Sequence, residues 1–222
     1  MDRAAISWSA GKDSMLALLR AREAGLIVDT FLTMCEADGT SKSHALPPSL
    51  VAAQVAALGG AWMQVQVPTG TYADSFDKAL AALRAQGHTQ LIFGDIDLQA
   101  HRDWLEPACA RAALQAVFPL WGQARAALAQ EIVQRGIRAR LVCVDTRWLD
   151  ESFIGAEYDT ALLARLPPGV CPCGEDGEFH TFVWHGPGFA APLSLQAGEV
   201  RRVASVPPMR HTQFILQTPL LA

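Results

Sequence analysis

Up to about residue 144 the chain alternates short apolar runs with amphipathic stretches, and this alternation constrains its fold more than any other feature. Ala4-Ala5-Ile6-Ser7-Trp8 is a short apolar strand pattern. From Asp13 to Ala24, Met15, Leu16, Leu18 and Leu19 gather on one side and Gly25 follows as a stop, which predicts a helix. Leu26 to Cys35 reads as a strand and Glu36 to Ala45 as a polar loop. Pro47 to Leu58 reads as a helix with proline in its first turn. Trp62–Val67 and Gln90–Phe93 read as strands, with a helix over Tyr72–Ala85 between them. His101–Ala116 and Gln123–Arg135 read as helices around the segment 117–120, and Ala139–Val144 as a further strand. Strands separated by helices over this length predict an α/β fold: a parallel sheet covered by helices on both faces. Beyond residue 145–150 the pattern changes. Pro-Pro pairs at 167–168 and 207–208, glycine-rich turns, and extended runs at Thr181–Trp184 and Phe214–Leu216 predict a smaller, partly β region. The expected division is an α/β domain over 1–147 and a small α+β region over 148–222.

With 222 residues, 50% of them hydrophobic and 18% charged, the chain can bury a sizeable core. A formal net charge of −4 argues against a generally basic nucleic-acid surface. No apolar run has the length of a membrane helix and no signal peptide is visible, so the expected compartment is the cytoplasm. The odd count of 5 cysteines agrees with a reducing compartment. Cys171-Pro172-Cys173 lacks CxxC spacing and has no companion Cys/His pair, so no structural zinc is expected. Cys109 and Cys143 fall in apolar segments and read as core. Arginine far outnumbers lysine and alanine is abundant, a bias typical of GC-rich, bacterial coding sequences.

Ser9-Ala10-Gly11-Lys12-Asp13-Ser14 lies between the first strand and the first helix, where α/β sheets place ligands. Small residues there let backbone N–H groups approach phosphate oxygens, and the helix start adds partial positive charge. Lys12 supplies a full charge, Ser9 and Ser14 supply hydroxyls, and Asp13 can orient the loop or help hold Mg²⁺. A Walker A loop is excluded. Ile6 stands where its first glycine belongs, and Asp13 stands in place of Ser/Thr. A second cluster, Cys173-Gly174-Glu175-Asp176-Gly177-Glu178-Phe179-His180-Thr181-Phe182, is dense in chemical groups. Its glycines allow a tight turn that would aim Glu175, Glu178 and His180 at a common point. Such a cluster can bind or deprotonate an ammonium ion.

The first motif resembles the PP-loop of the ATP pyrophosphatases, with Ala10 where the family carries glycine. Together with the Cys173–Phe182 cluster it resembles the diphthine–ammonia ligase family. Leu91–Ile96 followed by Arg102 and Glu106, Pro119-Leu120-Trp121, and Leu149–Gly155 agree with that resemblance, although Ala156 stands where the family carries a basic residue. The resemblance runs from about residue 4 to residue 185.

It implies a Rossmann-like, HUP-like PP-loop domain and an ATP-dependent amidation. ATP adenylates a substrate carboxylate, pyrophosphate leaves, and ammonia displaces AMP. The implied nucleotide set is Ser9, Ala10, Gly11, Lys12, Asp13 and Ser14 with Met34, His44, Gly94 and Asp95. Asp13 and Asp95 are the expected Mg²⁺ contacts. Glu175, Glu178 and His180, with Lys12, form the expected catalytic set, and Arg102 and Thr181 join them around the substrate. Arg102 can equally pair with Glu106 along a helix. Trp104, Trp121 and Trp148 are expected to pack in the core or between domains. The partners are then ATP, ammonia and a carboxylate of a small molecule or a protein. The apolar, proline-containing tail from Val206 to Ala222 is a candidate contact either with a second copy in a homodimer or with the chain's own first domain. Two other readings compete. One is a tRNA-thiolating PP-loop enzyme, disfavoured by the acidic balance and the missing CxxC. The other is a non-catalytic adenine-nucleotide sensor of the universal-stress type, which leaves the Cys173–Phe182 cluster without a task.

Overall fold

A computed structural model describes residues 3–204 and 212–222. Pro207-Pro208 and the start of the candidate dimer tail lie outside the described residues. Five strands form the first sheet: β1 (Arg3–Ser7), β2 (Ile27–Cys35), β3 (Ala61–Gln66), β4 (Gln90–Ile92) and β5 (Gln115–Val117). Their order is β3-β2-β1-β4-β5 and every pairing is parallel. The helices are α1 (Lys12–Glu23), α2 (Pro48–Ala57), α3 (Tyr72–Ala85), α4 (Gln99–Arg111) and α5 (Arg125–Gln134).

Alternation along the strands feeds two cores. Ala4 and Ile6 of β1 and Phe31 of β2 join one cluster with α1, α2 and α5. Ala5, Leu32 and Leu91 point the other way, into a cluster with α3 and α4. This is the expected Rossmann-like α/β core. Strand order reverses between β1 and β4, so the crevice beyond the carboxyl ends of these strands is the topological switch point, where such sheets bind ligands.

A second, antiparallel sheet follows, ordered β7-β6-β10-β9: β6 (Arg138–Asp145), β7 (Phe179–His185), β9 (Val200–Ala204) and β10 (Gln213–Gln217). A short helix, α6 (Thr160–Arg165), and a small ladder of β8 (Leu195–Gln196) with β11 (Leu220–Leu221) complete the region. The two extended runs expected late in the chain are β7 and β10, and both flank β6.

Two expectations are corrected. The strand at 139–144 does not extend the parallel sheet; as β6 it pairs antiparallel with β7 and β10. The helix expected to reach Ala116 ends at Arg111. Ala113 takes a left-handed φ of 56°, Leu114 N–H bonds back to Cys109 O, and Gln115 turns into edge strand β5. The alanine-rich sequence favours helix, and pairing with β4 overrides it. Cys109 and Cys143 are buried as expected, and burial pushes both thiols up to about 12. Among the described residues no helix is long and apolar enough to cross a membrane.

Candidate active site

The loop after β1 is held from several sides. Gln54, fully buried on α2, accepts from Trp8 Nε1 at 2.7 Å and donates through Nε2 to the carbonyls of Ala10 and Val183. Val183 N–H on β7 also donates to Ala10 O at 3.0 Å. Pinned this way, Ala10 adopts φ 68°, the left-handed region that a glycine would enter freely. Gly11 precedes α1 with no side-chain cap. A Cβ on it would lie 2.6 Å from His44 Cε1 and 3.3 Å from Thr181 O, so any side chain there has to displace the His44 ring. Ser9 and Ser14 share a hydroxyl hydrogen bond of 2.8 Å, and Lys12 N–H donates to Thr181 Oγ1 at 3.2 Å. Gly94, just beyond β4, meets the loop from the other side. A Cβ there would lie 2.9 Å from Ser14 N.

Lys12 is almost fully buried. Its ammonium donates to Asp13 Oδ2 at 2.8 Å and to the carbonyl of Cys173, with the Tyr158 and Phe179 rings 5.4 and 5.3 Å away. Burial disfavours its charge, but Asp13, Cys173 and Glu175 hold the pKa above the ordinary lysine value. Asp13 Oδ1 is buried without a hydrogen-bond partner among the described residues. His44 stacks on His180 with ring centroids 4.7 Å apart, and its Nδ1 is likewise unpartnered. Burial, then each other and Lys12, hold His44 well below the usual histidine value; burial and Lys12 take His180 down to about 4. Both imidazoles are neutral at pH 7.

The Cys173–Phe182 cluster turns through Gly174 at φ 71° and Gly177 at φ 83° and then enters β7. The turn separates its two glutamates. Glu178 points inward, 1% exposed, and its carboxylate accepts from Cys171 N–H at 2.7 Å and Asp176 N–H at 3.0 Å. Glu175 faces the crevice, where burial, and then the Asp13 carboxylate, raise its pKa to about 7.

One cavity of about 760 Å³ joins these groups. Ser9, Lys12, Asp13, Ser14, Met34, His44, Gly94, Asp95, Glu175, His180 and Thr181 all line it. Ala10 and Gly11 are buried and do not line it. Glu178 and Arg102 do not line it. Arg102 pairs with Glu106 at 2.7 Å and lies over the Phe118 and Trp121 rings, the alternative its spacing allowed. The Met34 carbonyl accepts from Lys42 N–H, and Met34 itself is largely buried in the core with α3 and α4. Asp95 pairs with His101 Nδ1 at 2.8 Å.

Sequence reasoning missed three contributors. Gln54 gave no signal, being a lone amide on an apolar helix. Arg125, at the start of α5, holds Asp97 at 2.7 and 2.9 Å and Asp176 at 2.8 Å, tying the glutamate turn to the loop after β4. Trp104, expected to pack internally, is 39% exposed on the cavity wall; Trp148 is exposed too.

A glycine- and serine-containing loop with a lysine at the first helix of a parallel sheet, set at the switch point, defines a nucleotide-binding α/β protein of the PP-loop kind. The chain belongs to the diphthamide synthase family, a family of ATP-utilising PP-loop enzymes. The model of the diphthamide synthase N-terminal domain matches residues 2–116, and that of the C-terminal domain matches 125–205. A search of curated proteins gives no match. Among solved structures, a predicted subunit of tRNA methyltransferase from Methanocaldococcus jannaschii is similar at 16% identity and TM-score 0.44, covering 63% of this chain and 78% of that one. Formyltetrahydrofolate deformylase from Burkholderia mallei is similar at 14% identity and TM-score 0.35, covering 62% of this chain and 46% of that one.

Proposed function

We propose that the protein is an AMP-forming amide ligase that activates a carboxylate with ATP and then amidates it with ammonia. The observation that carries this reading is the meeting, in one cavity, of the Ser9–Ser14 loop with a glutamate whose pKa is about 7. A carboxylate is a poor electrophile because oxide is a poor leaving group. In the first step a carboxylate oxygen attacks the α-phosphorus of ATP, and the bond to the oxygen bridging to the β-phosphorus breaks. The loop, Lys12 and the start of α1 neutralise the departing pyrophosphate. In the second step ammonia attacks the acyl carbon, and the tetrahedral adduct expels AMP. Ammonia must arrive unprotonated, and Glu175, half ionised near pH 7, is the group here best matched to take its proton. Glu178 is not available for this role, since backbone N–H groups engage both its oxygens.

Mg²⁺ fits the residues present. The unpartnered Asp13 Oδ1 and the carboxylate of Asp95 on the cavity wall are the oxygen donors that would hold it, completed by phosphate oxygens rather than by a protein cage. Bound there, it would supply charge neutralisation to the phosphates.

The test supplies isotope-labelled ammonium, MgATP and a small-molecule extract of the source cells. The reading requires labelled amide and AMP in equal amounts. In Glu175→Gln, the first step, read as exchange of labelled pyrophosphate into ATP, should persist while amide and AMP formation fall together about 100-fold, within the usual range for loss of a general base. Label incorporation without AMP would reject it.

A further inference from the structure

A strand that ends a sheet shows unpaired main-chain groups to solvent, and proteins protect such edges by shortness, cover or charge. Among the described strands, β5 has 3 residues and β8 and β11 have 2 each. β7 meets Ala10 O through Val183 N–H, and β9 carries Arg201 and Arg202. β3 has none of these protections. It ends the parallel sheet, and its residues, Ala61-Trp62-Met63-Gln64-Val65-Gln66, include no charge and no proline. Val67 N–H bonds inward to Cys35 O, so alternation turns the main-chain groups of Trp62, Gln64 and Gln66 outward. A groove of about 480 Å³ runs beside this edge, between β3 and α3, and shares no lining residue with the nucleotide cavity. Met63, Val65, Pro68 and Ala79 make it apolar. Asp74 and Lys78, one helical turn apart on α3, also line it, and neither has an ion-pair partner among the described residues.

We propose that the β3 edge and its groove are the interface of a homodimer, in which β3 of two copies pair antiparallel across a two-fold axis at Gln64. A second copy is the occupant because this surface is complementary to itself. Centring on Gln64 sets it opposite the partner's Gln64, and Trp62 opposite the partner's Gln66, so outward main-chain groups meet outward ones. Met63 then faces the partner's Val65 in a close, non-hydrogen-bonded pair, and the apolar lining of both grooves is covered. The same axis runs the two α3 helices antiparallel and brings Lys78 toward the partner's Asp74, which gives both unpaired charges an opposite neighbour. The two parallel sheets become one continuous sheet, with both nucleotide cavities left open.

Sedimentation of the full chain over a range of concentrations tests this, with thermal unfolding as the check on folding. Wild type should sediment at twice the mass of one chain. Gln64→Lys should give monomers. It sets two ammonium groups against each other at the axis, while a lysine can still donate to Gly39 O as Gln64 does at 3.2 Å. Lys78→Glu, which sets carboxylates face to face, should raise the dissociation constant of the dimer about tenfold. The charge swap Asp74→Lys/Lys78→Glu should restore it. A wild type that is monomeric at every concentration would overturn the proposal. So would a dimer that neither single variant weakens, which would place the interface elsewhere, or a charge swap that melts like wild type and fails to restore association.

Discussion

Ala10 combines a left-handed φ of 68° with a fully buried methyl group. Replacing it by glycine removes a backbone strain of ~1 kcal/mol and loses burial of one methyl worth ~0.8 kcal/mol. The two nearly cancel, so Ala10→Gly should unfold at the same denaturant concentration as wild type. Ala10→Val, branched at a position where β-branched residues are strained outliers, should cost roughly 2 kcal/mol or more. Gly94 is tighter. A methyl group there meets the backbone of Ser14 and Asp13 at 2.9 and 3.1 Å, and no side chain can swing aside. Gly94→Ala should cost about 2 kcal/mol of stability and weaken MgATP binding, both read by thermal unfolding with and without nucleotide. The two glutamates show what a sequence hides at this scale. Glu175 and Glu178 sit three positions apart in one polar turn and have equal claim to chemistry. Only the backbone path through Gly174 and Gly177 turns one toward the cavity and the other onto the N–H groups of Cys171 and Asp176.

At the scale of elements, the loop and the first helix were legible because their signals are local: an apolar strand, small residues, an amphipathic run and a glycine stop. The pairing of β6 was not. Its antiparallel partners, β7 and β10, lie far along the chain, and periodicity along one strand says nothing about the direction of its neighbour. The Arg125 latch is invisible for the same reason, since Asp97 and Asp176 come from opposite sides of it in sequence. Arg125→Ala tests the latch. Its ion pairs are partly exposed, so stability should change by less than about 1 kcal/mol. The turn carrying Glu175 loses its tether to the β4 loop, and amide formation should fall about tenfold with MgATP affinity retained, a positioning loss of roughly 1.4 kcal/mol. Equal losses in both would show that the latch holds the fold rather than the base.

The whole molecule carries a pH signature from its buried site. His44 and His180 are neutral in the folded protein, with His180 at about 4 against 6.5 when unfolded. Below pH 6.5 the unfolded chain takes up these protons and the folded chain does not, so stability falls on acidification. Glu175, raised to about 7, works in the opposite direction over the same range. Two histidines outweigh one glutamate, and the net slope between about pH 5 and 6.5 should show stability decreasing with acid. The double variant His44→Gln/His180→Gln should reverse that slope, measured as denaturant midpoints across the range. An unchanged slope would place the titrating groups elsewhere.

The central claim is that ATP is cleaved between its α- and β-phosphates to activate a carboxylate. Phosphorus NMR of the products formed from MgATP, ammonium and an extract of the source cells tests it most directly. AMP and pyrophosphate should appear, depend on the extract and vanish with Lys12→Ala. ADP and phosphate would contradict the account.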